Sequence, residues 1–331
     1  MKIDLENTFT RKRILITGGL GFIGSNLVLR LASMDAQVVV VDSLIPAYGG
    51  NTFNLEGVTQ NVHVNIADIR DPHCIAYLVQ GQDYIFNLAG QVSHLDSMED
   101  PLTDLEINCR AQLSLLEACR RLNRRPKLVF ASTRQIYGRP QRLPVDEQHP
   151  ILPVDINGIN KMAGESYHLL YSRIHGVPAC SLRLTNTFGP RMRVKDARQT
   201  FIGLWLCQLI QKEQIRVYGD GEQERDLNFV DDVVDAFLLA AASPESTGQV
   251  FNLGAPSISL KCLAELMIEL NGGGSYTLVP FPDNRKPIDI GTYRGDYTKI
   301  RKTLGWEPST PLSKGLLRTI EYYRHNAERY W

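Results

Sequence analysis

The sequence predicts an α/β protein built on a doubly wound, mostly parallel sheet, with a smaller, discontinuous mixed α/β unit carried by the second half of the chain. Three observations lead there. Short β-branched runs alternate with longer helical patterns through the first half; some of those runs are apolar on both faces; and the first run passes directly into a glycine-rich turn that opens a helix.

The runs are Ile14 to Thr17, Val38 to Val41, Val62 to Ile66, Tyr84 to Leu88, Leu128 to Ala131 and Ala179 to Leu184. Val38-Val39-Val40-Val41 has no polar face, so it belongs inside a parallel sheet covered by helices on both sides. Past Asn186 the rhythm loosens at Gly189-Pro190, Gly219-Asp220-Gly221 and Gly272-Gly273-Gly274. Between Leu227 and Gly254 it resumes as helix (Val233 to Ala242) then strand (Val250 to Leu253), which would return to the main sheet. The expected division is a first domain of 11–186 with 227–254 rejoining it, and a second of 187–226 and 255–331.

Length and composition narrow the function. A chain of 331 residues with 43% hydrophobic content has ample material for a packed core. Its 36 basic and 36 acidic residues cancel, so no net field draws it to nucleic acid or an anionic membrane, and a small-molecule substrate is expected. The six cysteines are scattered without CxxC spacing or a nearby histidine pattern, so no metal site is expected and the thiols read as reduced. The first ten residues lack the apolar core of an export signal, and no run approaches the roughly 18 apolar residues of a membrane span; a cytoplasmic location is expected.

The glycine turn runs Thr17, Gly18, Gly19, Leu20, Gly21, Phe22, Ile23, Gly24. Such a turn needs one glycine to bend, one so that backbone can approach a pyrophosphate, and one for close helix–strand packing; the helix it opens then offers N–H groups to the phosphates. Gly18, Gly21, Phe22, Ile23 and Gly24 are thus candidate dinucleotide contacts. Asp42 closes the next strand, where a carboxylate accepts from the adenosine ribose and repels a 2′-phosphate, favouring NAD over NADP.

With these pieces the sequence resembles the extended short-chain dehydrogenase/reductases, the nucleotide-sugar epimerases and dehydratases on a Rossmann-like fold, over nearly its whole length. Beyond the turn, Asp68-Ile69-Arg70-Asp71 is similar to that family's adenine-contacting segment and Asn87-Leu88-Ala89-Gly90 to its fourth-strand motif, while Asn108 matches its helical asparagine. Ser132-Thr133-Arg134-Gln135-Ile136-Tyr137-Gly138 resembles the fifth-strand motif, RLTNTFGP from Arg183 the entry to the substrate domain, and GDGEQERDLNFVDD from Gly219 and LGWEP from Leu304 the C-terminal signatures. The resemblance implies cofactor contacts at Asp68, Ile69, Leu88, Ala89, Gly90, Asn108 and Lys161. It also implies substrate contacts at Thr133, Asn186 and Arg225, with Arg285 or Lys286 as additions. Arg191, Arg193 and Lys195 form a basic cluster from which Arg191 is the candidate anion clamp.

In the family a tyrosine four residues before a lysine takes the proton from a sugar hydroxyl, the lysine holds the nicotinamide ribose, and a serine or threonine orients the sugar oxygen. Lys161 and Thr133 match the last two; the tyrosine position holds Asn157, and no other tyrosine stands four residues before a lysine. An amide has no proton to exchange near neutral pH. His94 is the leading replacement base, since histidine titrates in the useful range, with Tyr137, Lys161 and Asp155 as further candidates. The alternatives are a water relayed by Asn157 and a non-catalytic NAD and sugar-nucleotide binder.

Dehydratases of the family follow the threonine with an aspartate and a glutamate; here Arg134 and Gln135 stand there. Gly90-Gln91-Val92 and Trp205-Leu206-Cys207-Gln208 resemble instead epimerases, including those acting on CDP-tyvelose. The resemblance therefore implies an NAD-dependent nucleotide-sugar epimerase with an atypical base, a dehydratase or 4-keto reductase being the enzymatic alternative. Leu105 to Leu122 and Ile159 to Ile174 resemble the family's dimer helices, implying a homodimer through a four-helix bundle that buries Leu113, Leu116, Leu169 and Leu170.

Overall fold

A computed structural model describes residues 3–58, 61–122, 125–283 and 285–331. Its strands are β1 (Arg13–Thr17), β2 (Gln37–Asp42), β3 (Val62–Ile66), β4 (Tyr84–Asn87), β5 (Lys127–Thr133), β6 (Ala179–Leu184), β7 (Asn186–Phe188), β8 (Ile215–Tyr218), β9 (Glu224–Phe229), β10 (Val250–Asn252), β11 (Ser257–Ser259) and β12 (Tyr276–Val279). Seven form one sheet in the order β10-β6-β5-β4-β1-β2-β3, with every neighbouring pair parallel. The fold class is the Rossmann-like α/β one expected.

Both faces of β1 are apolar, and the packing explains why. Ile14 and Ile16 join Leu27, Val28 and Leu31 of the helix Phe22–Ala32 and Phe237 of the helix Val230–Ala242. Leu15 points the other way, into a layer with Ile75, Leu115, Leu116 and Tyr171. Each such side chain withdrawn from water contributes about 1.5–3 kcal/mol. The remaining strands form small sheets, β11-β9-β7 and β12-β8, packed with the helices Phe201–Ile210, Leu260–Asn271 and Leu312–Asn326 around Trp205, Leu206, Leu263 and Tyr323.

One sequence-based helix is built differently from expectation. The stretch assigned to Leu105–Leu122 begins at Pro101, capped by Asp100, widens into a π turn over Glu106–Arg110 and continues as Ala111–Arg120. Leu116 is buried in the chain's own core rather than reserved for a partner, and Leu113 packs against the same cluster.

Because β1 has β2 on one side and β4 on the other, chain connections leave in opposite directions there and open a crevice at the strands' carboxyl ends. That crevice is pinned from beneath. Thr17 donates its hydroxyl to Asn87 Oδ1 (2.8 Å) and accepts from the Leu88 and Ala89 N–H groups (3.1 and 3.0 Å). Asn87 Nδ2 donates to Gln112 Oε1 (2.6 Å) and lies 3.2 Å from His168 Nε2, while His168 Nδ1 is 2.7 Å from the Gly164 carbonyl. This pairing fits a neutral ring, Nδ1 donating and Nε2 accepting, stacked on Phe130 at 4.3 Å.

Burial pushes the His168 pKa down to about 4 from 6.5. Between those values the unfolded chain is protonated and the folded one is not, so stability present above pH 6.5 declines as pH falls, by about 3 kcal/mol in total. Urea unfolding between pH 7 and 4.5 should show this loss, and His168→Gln should remove close to one proton from the slope. An unchanged slope in the variant would refute the assignment.

Candidate active site

A cavity of about 250 Å³ lies over the crevice and joins a larger one of about 630 Å³ between the main sheet and the small sheets; His94, Arg134, Gln135, Asn186, Gln199 and Thr200 border both.

The first cavity is floored by the glycine turn. Gly18 adopts φ +72°, a left-handed conformation, and a β-carbon on Gly24 would stand 2.1 Å from the Gly18 carbonyl oxygen, so neither position takes a side chain without moving the turn. Gly21, Phe22, Ile23, Asp42, Asp68, Ile69, Leu88, Ala89, Gly90 and Lys161 line the same space, as the sequence predicts. Asp42 accepts from the Leu20 N–H (3.0 Å) and the Leu44 N–H (2.8 Å); burial lifts its pKa while those donors oppose the rise. Asp68 is held by Arg70 at 2.6 Å, whose guanidinium keeps its carboxyl below the ordinary range. A phosphate-accepting turn, a buried carboxylate one strand away and apolar walls suit a dinucleotide.

Thr133 ends β5 and accepts from the Gln135 N–H at 3.2 Å, capping the short turn Arg134–Tyr137 and leaving its own proton for a ligand oxygen. Lys161 lies one helical turn past Asn157 in the helix Ile156–His175. Its Nζ donates to the Ala131 carbonyl at 3.2 Å and sits 5.2 Å from the Phe130 ring centre. Burial pushes its pKa down to about 8, with Asp104 pulling the other way.

Asn157 does border the cleft, but its amide faces inward. Nδ2 donates to the Gln91 carbonyl (2.8 Å) and to Asp104 Oδ2 (3.1 Å), with Gln91 Oε1 at 3.3 Å. Asp104 collects two more amides, from Asn108 (3.0 Å) and Asn160 (2.8 Å). Asn108 is correspondingly withdrawn: fully buried, it lies behind the cavity rather than in its wall, with its Oδ1 left without a partner behind Gly90. Asp104 carries no motif that would have announced it.

His94 opens the short helix His94–Glu99 and borders both cavities. Its Nδ1 lies 3.0 Å from Asp155 Oδ2, close enough for an ion pair although the in-line geometry of a full hydrogen bond is not met. Burial alone would raise the Asp155 pKa, yet His94, the Gly158 N–H (2.6 Å) and Gln135 Nε2 (2.8 Å) together hold it below the ordinary range. Asp155 is thus engaged as a cap and an orienting group. Tyr137 is ruled out as a base. It is sealed in the core, donates to Asn252 (2.7 Å) and accepts from Arg183, and burial lifts its pKa to about 12.

Among the substrate candidates, Asn186, Arg225 and Arg285 line the second cavity. Arg225 is largely committed to the protein, donating to the Glu224 and Gly291 carbonyls and Gln223 and lying 3.5 Å from Asp289. Burial, reinforced by the Arg134 charge, lowers its pKa to about 10. Arg191 is not brought to the cleft. It donates to Asn26 Oδ1 (3.0 Å) and the Asn54 carbonyl (3.3 Å) beneath the Tyr322 ring, and neighbouring Arg193 is held by Asp196. Among the described residues no His, Cys, Asp and Glu cluster could hold a metal, and no helix is long and apolar enough to cross a membrane.

A dinucleotide cradle joined to a second cleft lined by arginines is the arrangement of a protein that binds a dinucleotide beside a second ligand. Residues 14–254 match the family described as the NAD dependent epimerase/dehydratase family, and the chain belongs to it. It is 34% identical over 329 residues to UDP-glucuronic acid decarboxylase 1 of Xenopus tropicalis, covering 96% of this chain and 73% of that one. It is 31% identical over 317 residues to the UDP-glucose 4-epimerase of Mycolicibacterium smegmatis, covering 96% and 100%. The UDP-glucuronic acid 4-epimerase of Bacillus cereus, solved with UDP-glucuronic acid and NAD, superposes with a TM-score of 0.85 at 25% identity over 95% of this chain and 99% of that one. The cofactor is NAD.

Gly24→Ala should weaken NADH binding by about tenfold or more, each tenfold being about 1.4 kcal/mol, as read by quenching of tryptophan fluorescence in protein whose circular dichroism is unchanged. Unaltered affinity would show that the turn does not carry the phosphates.

Proposed function

We propose that this chain is a nucleotide-sugar epimerase in which His94, oriented by Asp155, is the general base. The observation that carries the reading is the His94–Asp155 pair at the junction of the two cavities, combined with an Asn157 amide whose donors are already committed to Gln91 and Asp104. With Nδ1 turned to Asp155, Nε2 is the ring nitrogen left for a sugar hydroxyl.

Bound NAD supplies a reversible hydride acceptor. In that complex His94 would take the sugar hydroxyl proton and later return it to the same oxygen, Thr133 would donate to that oxygen, and Lys161, a cation at neutral pH, would hold the nicotinamide ribose. Because the proton and the hydride would both go back to the sugar, the balance would close with no second substrate. Elimination of water has less support, because Gln135 donates to Asp155 and Arg134 is a permanent cation where a dehydratase needs an acid and a base.

His94→Gln should lower kcat by roughly 10²–10⁴-fold on whichever of a UDP-, dTDP-, GDP- and CDP-sugar panel is turned over, with NADH affinity preserved. Asp155→Asn should lower it less and shift the pH profile of kcat/KM. A His94 variant with full kcat would overturn the assignment; binding of NAD and sugar nucleotides with no turnover of any would favour a non-catalytic binder.

We also propose a homodimer through the helices flanking the cleft. Leu102, Ile159, Leu170 and Ile174 are 71%, 44%, 39% and 61% exposed, an apolar stripe of the kind that marks an interface. Light scattering should give twice the chain mass, and Leu170→Glu with Ile174→Asp should halve it. A wild type of single-chain mass would dismiss the dimer.

A further inference from the structure

Arg134 follows Thr133 at the junction of the two cavities, where Asp226 and Asp289 act on its charge only from a distance. Among the described residues no carboxylate forms an ion pair with it. Its Nη2 donates to Asn186 Oδ1 at 3.0 Å, its guanidinium lies 5.1 Å from the Tyr293 ring centre, and its Nη1 is shut off from solvent with no hydrogen-bond partner. The Asn186 Nδ2 is orphaned in the same way. A buried donor left unpaired costs about 1–3 kcal/mol, more when charged, and two adjacent ones in a cleft call for an acceptor that arrives from outside.

A bound nucleotide sugar brings two kinds of oxyanion, its diphosphate and any acid on the ring. Arg216 and Arg285, neither in an ion pair among the described residues, line only the second cavity. Arg134 and Asn186 border the first cavity as well, beside the Thr133 hydroxyl that meets the ring. The diphosphate therefore has cations of its own further out, and Arg134 with Asn186 faces the ring.

We infer that Arg134 and Asn186 receive a carboxylate on the sugar ring, so that the substrate is a nucleotide-diphosphate uronic acid; this rests on the nucleotide-sugar reading above. Two donors side by side match the two oxygens of one carboxylate, and Arg134 Nη1 has been stripped of water before the ligand arrives. A neutral hydroxymethyl in that place would leave the guanidinium unpaired.

The test is calorimetric titration of the NAD-loaded protein with UDP, UDP-glucose and UDP-glucuronic acid. Wild type should bind the uronic acid about tenfold or more tighter than UDP-glucose, the range of a charge-assisted pair. Arg134→Gln should reduce that ratio to near one without weakening UDP. Equal weakening of all three ligands would assign Arg134 to the diphosphate, and a wild type that does not discriminate would likewise overturn the inference while leaving the nucleotide-sugar reading intact. Failure of UDP, dTDP, CDP and GDP all to bind would bring down that reading and the inference with it.

Discussion

A carboxylate shut away from water must be given donors, and Asp104 draws the region behind the cleft together on that condition. Asn108 from the π turn and Asn157 and Asn160 from the helix Ile156–His175 all turn their amides to it, and the Gln91 carbonyl shares two of the three. The loop after β4, the π turn and the long helix are thereby fixed against one another. Lys161, on the same helix, takes its place over the cofactor floor from that arrangement and feels the Asp104 charge from behind.

The polar groups around the cleft fall into two sets. Thr17, Asn87, Asp42 and Asp104 have partners within the protein and fix the cofactor floor. Ser132 Oγ and Asn108 Oδ1 beside that floor, and Arg134 Nη1, Asn186 Nδ2 and Gln208 Oε1 towards the small sheets, have none, and buried groups left so are where a ligand can supply the missing partner.

The cofactor floor was legible in the sequence because its requirements are local. A turn that must bend at Gly18 and pack at Gly24 leaves glycines in fixed positions, and the strand that follows ends on Asp42 for the same geometric reason. Motif position put Thr133 and Lys161, and the place after β4 put His94, on the walls of the first cavity, where the structure has them. Asp104 was invisible, since its role comes from three amides scattered over 53 positions of chain, between Asn108 and Asn160, and from a π turn that no periodicity signals. Arg191 was misread for the converse reason: adjacency in sequence placed it with a basic cluster, while the positive φ at that residue turns it to Asn26. Asn108 was assigned to the cofactor, yet it supports the wall from behind.

The Asp104 hub also bears on what position 157 can hold. A phenol there would bring one hydroxyl donor where the amide now brings two hydrogens, shared among the Gln91 carbonyl, Gln91 Oε1 and Asp104. The residue at 157 is therefore chosen as much by the polar groups behind it as by the cleft in front, and an exchange at that one position leaves acceptors behind the wall short of a donor.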